Sequence, residues 1–475
     1  MAGSAALPAT RADRFLKVLS KSANKGMLWW AIGALLATKK GATRRGVLRG
    51  VAAIGGASAL ANLVAKPVFP RRRPAADQVP VHRRLRRHPT SSSFPSGHSA
   101  SAAAFATAVA MESPAAGLVV APIAASVAYS RIHCGVHWPS DVAAGMAIGV
   151  AAGLGTRHWW PLNPDIPARA AHRADAPAMH DGADLVALVN PQSGQDSGDP
   201  TDLVREAWPR ATVIHPDDTV DIRQRLEDII QKRSGSVRAI AVAGGDGTAA
   251  AVASVAAEQG LPLALIPSGT LNRFARDVGV ASAADARDAT ETGSAVGIDL
   301  AEVEVSNSAQ PERRWFVNTA GLGGYPEMVR LREQLESTWP KWPAFVIATL
   351  RTLRRSEPLD VLLNGEPTMI WMLFVGNGTY APKGFAPSRR PALDTGLLDV
   401  RYVRADVRYS RLRFFLAVVT NSLSASRVYR QRDLAELDVQ LRSGHRRIAT
   451  DGEVGPLGKR FKFRSRPSAL TIYRA

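Results

Sequence analysis

The stretch Ser130-Arg131-Ile132-His133-Cys134-Gly135-Val136-His137-Trp138-Pro139-Ser140-Asp141 sets an arginine, a histidine and an aspartate at a spacing that phosphoryl transfer can use. Arg131 can hold a phosphate, His137 can attack phosphorus, and Asp141 can orient the imidazole. By itself the His-x3-Asp spacing equally describes an ordinary i, i+4 pair on a helix. Its neighbours have to decide.

Working outward, Lys66, Arg73-Pro74 and Phe94-Pro95-Ser96-Gly97-His98 precede it. Together the three pieces supply three fixed cations, a glycine turn and two histidines. In-line displacement at phosphorus needs such groups, because the equatorial oxygens must be neutralised while nucleophile and leaving group stand on opposite sides. Pro95 at a first helical position, followed by Ser96 and Gly97, would aim free backbone N–H groups at the anion.

The surroundings are apolar. Blocks at about 27–37, 47–65, 99–111, 115–129 and 142–156 are rich in Ala and Gly. Small residues of this kind pack membrane helices closely, although no block reaches the roughly 20 residues of an independent span. A soluble Ala-rich bundle is the competing reading. Residues 11–25 mix Phe15, Leu16, Val18 and Leu19 with evenly spaced cations, as an interfacial amphipathic helix does. The net charge is +19, and residues 1–90 hold eighteen Lys and Arg against only Asp13 and Asp77. Without aromatic interleaving, that asymmetry points to an anionic membrane surface and away from nucleic acid. The single cysteine, Cys134, excludes an intrachain disulfide, and no secretory signal is expected at the start.

The three motifs Lys-x6-Arg-Pro, Pro-Ser-Gly-His and Ser-Arg-x5-His-x3-Asp, in that order, resemble the type 2 phosphatidic acid phosphatase (PAP2) family over roughly residues 12–156. The resemblance implies that His137 is a nucleophile forming a phosphohistidine, with Asp141 orienting it and His98 protonating the leaving alcohol. It also implies that Lys66, Arg73, Ser96, Gly97 and Arg131 bind the phosphate and that no cofactor is needed. His133 lacks an acid four residues later and is expected to be structural. Family members usually have six spans, and here the first is reduced to the amphipathic helix. A soluble vanadate-type haloperoxidase shares the same motifs.

Residues 157–183 (Pro, Ala, His, Asp) read as a linker. Beyond it, Leu185–Asn190, Arg238–Ala243 and Leu263–Pro267 read as strands and Asp221–Lys232 as a helix, so residues 184–297 predict an α/β nucleotide-binding domain with a parallel sheet. Segments such as Leu359–Leu363, Ile370–Val375, Leu398–Val403 and Leu470–Tyr473 predict a mainly antiparallel β-domain over 298–475. The fold class is therefore multidomain: a helical membrane bundle, then α/β, then β. Three loops at strand ends form a nucleotide crevice: Asn190-Pro191-Gln192-Ser193-Gly194, Gly244-Gly245-Asp246-Gly247-Thr248 and Pro267-Ser268-Gly269-Thr270-Leu271-Asn272. None is a Walker A loop.

This trio resembles the diacylglycerol kinase catalytic domain, shared with sphingosine kinases and bacterial lipid kinases, over about 184–475. By that resemblance Asn190, Ser193, Gly194, Gly244 to Thr248, Gly269 and Thr270 bind ATP, Asp246 places Mg2+, and Glu453 of Asp451-Gly452-Glu453 accepts the proton of a lipid hydroxyl. Two positions depart from the family pattern. Asn272-Arg273 stands where Asn-Asp is common. Leu393-Asp394-Thr395-Gly396-Leu397 replaces an Asp-Gly segment that binds a structural Mg2+ in bacterial members, leaving Leu397 as the candidate there.

Jointly these resemblances imply a bifunctional membrane enzyme: a lipid phosphate such as phosphatidate loses phosphate, and a lipid alcohol such as diacylglycerol gains it. Unrelated lipids for the two halves (an isoprenoid phosphate or diphosphate, a long-chain base or polyprenol) and a membrane-tethered sensor with one inactive site stay open, as does a homo-oligomer. If five blocks span, both motif loops of the first half lie on one face and the linker emerges on the other. Because ATP is cytosolic, the first site would face outward. Cation counting disagrees, since the loop 38–46 holds four and the segment 66–97 holds eight.

Overall fold

The computed structural model describes residues 10–39, 41–75, 79–85, 89–162, 166–193, 199–217, 220–233, 235–269, 272–307, 311–336, 341–381, 383 and 389–474. It divides into two compact units, Met1–Pro164 and Asp165–Ala475.

In the first unit, α1 (Arg11–Ser22) is followed by α2 (Met27–Ala37), α3 (Ala42–Val68), α4 (Gly97–Glu112), α5 (Pro114–His133) and α6 (Pro139–Trp159). Local chemistry sets their starts. The Asp13 carboxylate accepts from the Thr10 N–H, the Ser96 hydroxyl accepts from Ser99 N, and Pro114 and Pro139 occupy first turns that require no N–H partner. The apolar blocks thus extend further than their sequence suggests: α3 and α5, at 27 and 20 residues, are long and apolar enough to cross a membrane. The polar ends of these helices supply the missing turns.

Helix α4 packs against α3, α5 and α6. Glycines allow the approach. A Cβ added at Gly145 would stand 2.4 Å from the Ser96 carbonyl oxygen, and one at Gly149 2.2 Å from that of Ala100. These residues, with Gly153, form a four-residue repeat on α6 that lets two helix backbones meet, the packing that membrane helices use. The outer surface is apolar: Leu35, Leu63 and Leu118 are 73%, 75% and 78% exposed, a pattern that suits lipid better than water.

The end of α3, the start of α4, the end of α5 and the start of α6 meet at one end of the bundle. At the other, Arg49 donates to Glu112 through Nε (2.9 Å) and Nη2 (2.6 Å) and to Thr156 Oγ1 (3.0 Å). The chain leaves the first unit at that second end.

The second unit begins inside the stretch that reads as a linker. Ala168 N–H donates to Asp277 O and Arg169 N–H to Pro391 O, and β1 (Arg173–Asp175) pairs with residues 294–296. Pro-rich composition here reflects a chain fastened along a surface, not a free tether.

The parallel part is β2 (Leu185–Val189), β3 (Thr212–Ile214), β4 (Ala239–Gly244) and β5 (Leu263–Pro267), in order β3-β2-β4-β5. α7 (Pro200–Ala207), α8 (Ile222–Lys232), α9 (Asp246–Gln259), α10 (Arg273–Val278) and α11 (Ala283–Thr292) accompany it. The antiparallel part holds β6 (Ser294–Ser306), β7 (Glu312–Phe316), β8 (Thr319–Gly323), β9 (Leu359–Leu363), β10 (Glu366–Asn377), β11 (Leu398–Arg404), β12 (Tyr429–Leu434), β13 (Glu436–Leu441), β14 (Arg446–Thr450), β15 (Glu453–Gly458) and β16 (Arg460–Tyr473).

No break falls at residue 297. β6 runs through it, with Val296 and Ile298 in the core of the parallel part and Val303 and Val305 in the core of the antiparallel part. β16 does the same in reverse and pairs parallel to β5 through Ile472 and Leu263. Two long antiparallel strands thus join the halves of the second unit into one mixed sheet.

Candidate active sites

A cavity of about 460 Å³ opens at the end of the bundle where the motif segments meet. Lys66, Arg73, Gly97, His98, Arg131 and His137 line it, so six of the sequence-derived residues converge although they span 72 positions of chain. Trp29, Trp30, Val51 and Ile54 form an apolar part of the same wall.

His137 is held by one nitrogen and presents the other. Its Nδ1–H donates to the Ser93 carbonyl oxygen at 2.6 Å, and Nε2 stands 3.2 Å from Arg73 Nη1. Burial, with Arg131 and Arg73 beside it, pushes the imidazolium down to about 2, so the ring is neutral and its Nε2 lone pair accepts from Arg73 Nη1, a contact that an incoming phosphate would have to replace. Arg73 is itself fixed by the Ser91 and Val136 carbonyls (2.9 and 2.6 Å). Lys66 Nζ donates to Asn62 Oδ1 at 2.8 Å. Arg131 donates from Nη1 to the Ser20 hydroxyl, while its buried Nε has no hydrogen-bond partner among the described residues. An unpartnered buried donor in a cationic cavity suits an anion.

Two expected residues sit behind this surface. The Ser96 hydroxyl accepts from the Ser99 hydroxyl at 2.9 Å, and the Ser96 N–H donates to Asp141 O. The Asp141 carboxylate lies 3.7 Å from His137 Nδ1, beyond hydrogen-bond range. It accepts instead from Trp138 N–H (2.8 Å) and Arg71 Nη1 (2.9 Å). Asp141 therefore fixes the backbone that carries His137, and the Ser93 carbonyl fixes the ring. His133 is structural as expected, with Nε2 2.6 Å from Asp13 Oδ1, which also accepts from Arg83 Nε at 2.9 Å.

Ser20, Asn24, Arg71 and Ser93 were not legible as site residues. A backbone carbonyl such as that of Ser93 leaves no mark in side-chain identity. Ser20 and Asn24 belong to a segment whose amphipathic pattern speaks only of an interface.

In the second unit, register places the three glycine loops side by side, with Val189 opposite Ala243 and Gly244 opposite Pro267. Ser193 Oγ is 2.8 Å from Ser268 Oγ, and Asn190 Nδ2 donates to Thr248 Oγ1 at 3.5 Å. A Cβ at Gly269 would stand 2.6 Å from Gly245 Cα, so the close approach of two loops requires glycine there. α9 starts at Gly245 with no side-chain cap, leaving Gly247 and Thr248 N–H groups as an anion cradle. Gly194 and Thr270 lie outside the described residues.

Asp246 Oδ1 accepts from Phe274 N–H (3.1 Å), which leaves Oδ2 for a cation. Among the described residues no group of three His, Cys, Asp or Glu could enclose a metal. Mg2+ commonly takes one or two carboxylates and completes its shell with phosphate and water, so Asp246 fits that role. The other segment does not. The Leu397 carbonyl accepts from Gly378 N–H, and Asp394 Oδ2 from Ala171 N–H and His172 Nδ1, so this segment is engaged in fastening the chain, and no second carboxylate joins Asp394 in a metal-sized group among the described residues.

Glu453 is exposed at the first position of β15, opposite Thr450. The turn before it is fastened at Asp451, whose carboxylate accepts from the N–H groups of Val317, Asn318 and Thr319 at 2.7, 2.8 and 2.9 Å. Arg390 donates to Val317 O (2.7 Å) and to Asp277 on α10 (2.8 Å). The Asp-Gly-Glu turn is thereby tied to the helix behind the third glycine loop.

The PAP2 superfamily model matches residues 47–165, and the diacylglycerol kinase catalytic domain model matches 184–303. The chain is 28% identical to a diacylglycerol kinase of Mycobacterium tuberculosis over 255 residues, 52% of this chain and 72% of that one. Among solved structures, a diacylglycerol kinase from Bacillus anthracis covers 61% of this chain and 96% of its own (20% identity, TM-score 0.42). A transmembrane PAP2 type phosphatidylglycerolphosphate phosphatase from Bacillus subtilis covers 33% and 79% (22% identity, TM-score 0.27).

Proposed function

We propose that this chain, which carries a PAP2-superfamily domain and a diacylglycerol kinase catalytic domain, is a bifunctional membrane enzyme acting on lipids. One site removes phosphate from a lipid phosphate and the other transfers the γ-phosphate of ATP to a lipid alcohol with release of ADP, phosphatidate and diacylglycerol being the simplest pair. The observation that carries the reading is a cavity in which four cations, Lys25, Lys66, Arg73 and Arg131, and two histidines meet an apolar wall of Trp29, Trp30, Val51 and Ile54. A phosphate head and a hydrocarbon tail suit its two parts.

In the first site, His137 Nε2 attacks phosphorus as the bond to the leaving alkoxide breaks. The alkoxide oxygen takes a proton from His98, and water later cleaves the phosphohistidine. Lys66, Arg73 and Arg131 oppose the charge on the equatorial oxygens. The Ser93 carbonyl holds the nucleophile in the tautomer whose Nε2 carries the lone pair, which Arg73 gives up as it turns to the phosphate oxygens, and stabilises the ring as positive charge develops on it.

In the second site, the glycine loops hold the nucleotide phosphates and Glu453 accepts the proton of the lipid hydroxyl as its oxygen attacks the γ-phosphorus and the bond from that phosphorus to the bridging oxygen of the leaving ADP breaks. Magnesium, held by Asp246, supplies charge neutralisation on the phosphate oxygens when bound. The cavity would face away from the cytosol and the ATP-using unit toward it. Support comes from the chain leaving the bundle at the end opposite the cavity.

The test is the full chain in detergent micelles, assayed with a lipid panel and labelled ATP. His137→Ala should abolish phosphate release and spare phosphorylation, and Glu453→Ala the reverse. Loss of both activities from either change would contradict two independent sites.

A further inference from the structure

We propose that Asn24, in the turn between α1 and α2, is a positioning residue for the leaving-group acid His98. The proposal rests on the phosphatase reading of the cavity. Asn24 lies ahead of the matched region 47–165, in a segment whose sequence suggests only a membrane-surface helix.

The structure gives that segment a place in the site. His98 Nε2 is 2.8 Å from Asn24 Oδ1. Four residues earlier, the Ser20 hydroxyl accepts from Arg131 Nη1. At the far end of α1, Asp13 accepts from Arg83 and His133. Lys25 and Gly26 follow Asn24 directly, both at positive φ (52° and 75°), and both line the cavity. The left-handed pair reverses the chain over the cavity mouth, and Asn24 is presented to His98 by that reversal.

The chemistry gives the contact a purpose. To protonate the leaving oxygen, His98 must be an imidazolium with two N–H donors. One N–H goes to the alkoxide as the P–O bond breaks and the bond from phosphorus to His137 Nε2 forms; the proton moves to the alcohol and His98 becomes neutral. The other N–H, on Nε2, needs an acceptor. The charged and titratable groups facing the cavity around His98 are Lys25 from the turn, Lys66 from α3, Arg73 after it, Arg131 from α5 and His137 before α6. All are cationic or neutral, and burial together with Arg131, Lys66 and Arg73 pushes the His98 imidazolium down to about 3; a bound phosphate opposes those cations, and the Asn24 carbonyl oxygen is the acceptor placed for the Nε2–H of the acid form. It does so without lining the cavity itself, which makes its effect one on kcat and not on substrate binding.

The experiment follows phosphate release from a lipid phosphate by the full chain across pH. Asn24→Ala should move the basic limb of the kcat profile to lower pH by about one unit, and Asn24→Asp should move it to higher pH by about as much. KM should stay within roughly twofold for both. Asn24→Ser, which keeps a short acceptor, should fall between Ala and the parent. In a His98→Ala background, Asn24→Ala should cause no further loss, because the two residues act as one unit. Limbs that stay in place, or that move the same way in Ala and Asp, would overturn the proposal. So would a double variant slower than His98→Ala alone. Failure of the underlying reading looks different: either the parent chain releases no phosphate, or His137→Ala still does.

Discussion

Replacing Asp451 separates the fastening of the Asp-Gly-Glu turn from its chemistry. The carboxylate accepts three backbone N–H bonds: Asn318 and Thr319 reach Oδ1 at 2.8 and 2.9 Å, and Val317 reaches Oδ2 at 2.7 Å. Asp451→Ala removes both acceptor oxygens and with them all three bonds. An orphaned donor costs about 1–3 kcal/mol, and because these contacts are part-buried the low end applies, giving about 3 kcal/mol. The residue sits at φ 49°, where Ala adds a strain of roughly 1 kcal/mol that Asn does not. Asp451→Asn keeps one oxygen, enough for Asn318 and Thr319, and turns an amide N–H2 toward Val317. It should cost about 1–2 kcal/mol. At roughly 2 °C per kcal/mol for a unit of this size, the Ala variant should lose its kinase activity on heating about 8 °C earlier and the Asn variant 2–4 °C earlier. Phosphate release by the same preparation, which comes from the other unit, serves as the internal control. Equal thermal inactivation of Ala and parent would refute the reasoning, and so would an Asn variant weaker than Ala.

Two further outcomes follow from the first unit. Gly149→Ala puts a Cβ 2.2 Å from the Ala100 carbonyl oxygen, whereas Gly155→Ala meets nothing within 4 Å; the former should lose about 1–3 kcal/mol of stability in detergent and the latter none, read as the temperature at which phosphate release is lost. His137, with its imidazolium pushed down to about 2 from an unfolded value of about 6.5, binds its proton more readily when unfolded, so its contribution is complete above about 6.5 and declines as pH falls toward 2. In the folded enzyme it stays neutral, and kcat/KM corrected for substrate ionisation should not fall between pH 8 and pH 5. A tenfold loss per pH unit inside that window would place its titration elsewhere.

How much of this was legible in the sequence depends on which atoms carry the information. Lys66, Arg73, His98, Arg131 and His137 act through side chains at fixed spacings, and all five line the cavity. The helical blocks are legible at their apolar centres and at starts such as Ser96 and Ser140, but not at their carboxyl ends, where Lys66 and Arg131 belong to helices whose polar last turns look like loops. The motif resemblance makes Asp141 the residue that orients the His137 imidazole. Here Pro139 starts the helix between them, so Asp141 caps Trp138 and the Ser93 carbonyl takes the imidazole. The boundary at 297 was drawn where helices give way to strands, but 13-residue β6 crosses it unbroken. Continuity of a strand across two cores depends on partners far away in sequence, chiefly β16.

The conflict between ATP supply and cation counting is eased by what the cations do. Of those between residues 66 and 97, Lys66 and Arg73 line the cavity, and Arg71 and Arg83 donate to Asp141 and Asp13. Arg84 donates to the Val79 carbonyl. Cations committed to internal carboxylates, carbonyls and an anion site contribute little to a rule that describes charges free to stay with the cytoplasmic leaflet. At the opposite end, Arg49 and Arg45 both reach Glu112 (2.6 and 3.2 Å), and Arg44 and Lys39 stand nearby in the sequence. α6 connects the two ends: 21 residues at 1.5 Å each span about 30 Å, the thickness of a bilayer's hydrocarbon core. Asp141 in its first turn belongs to the cavity end and Trp159 at its close to the exit. A single helix therefore carries the chain from the cavity end of the bundle to its exit.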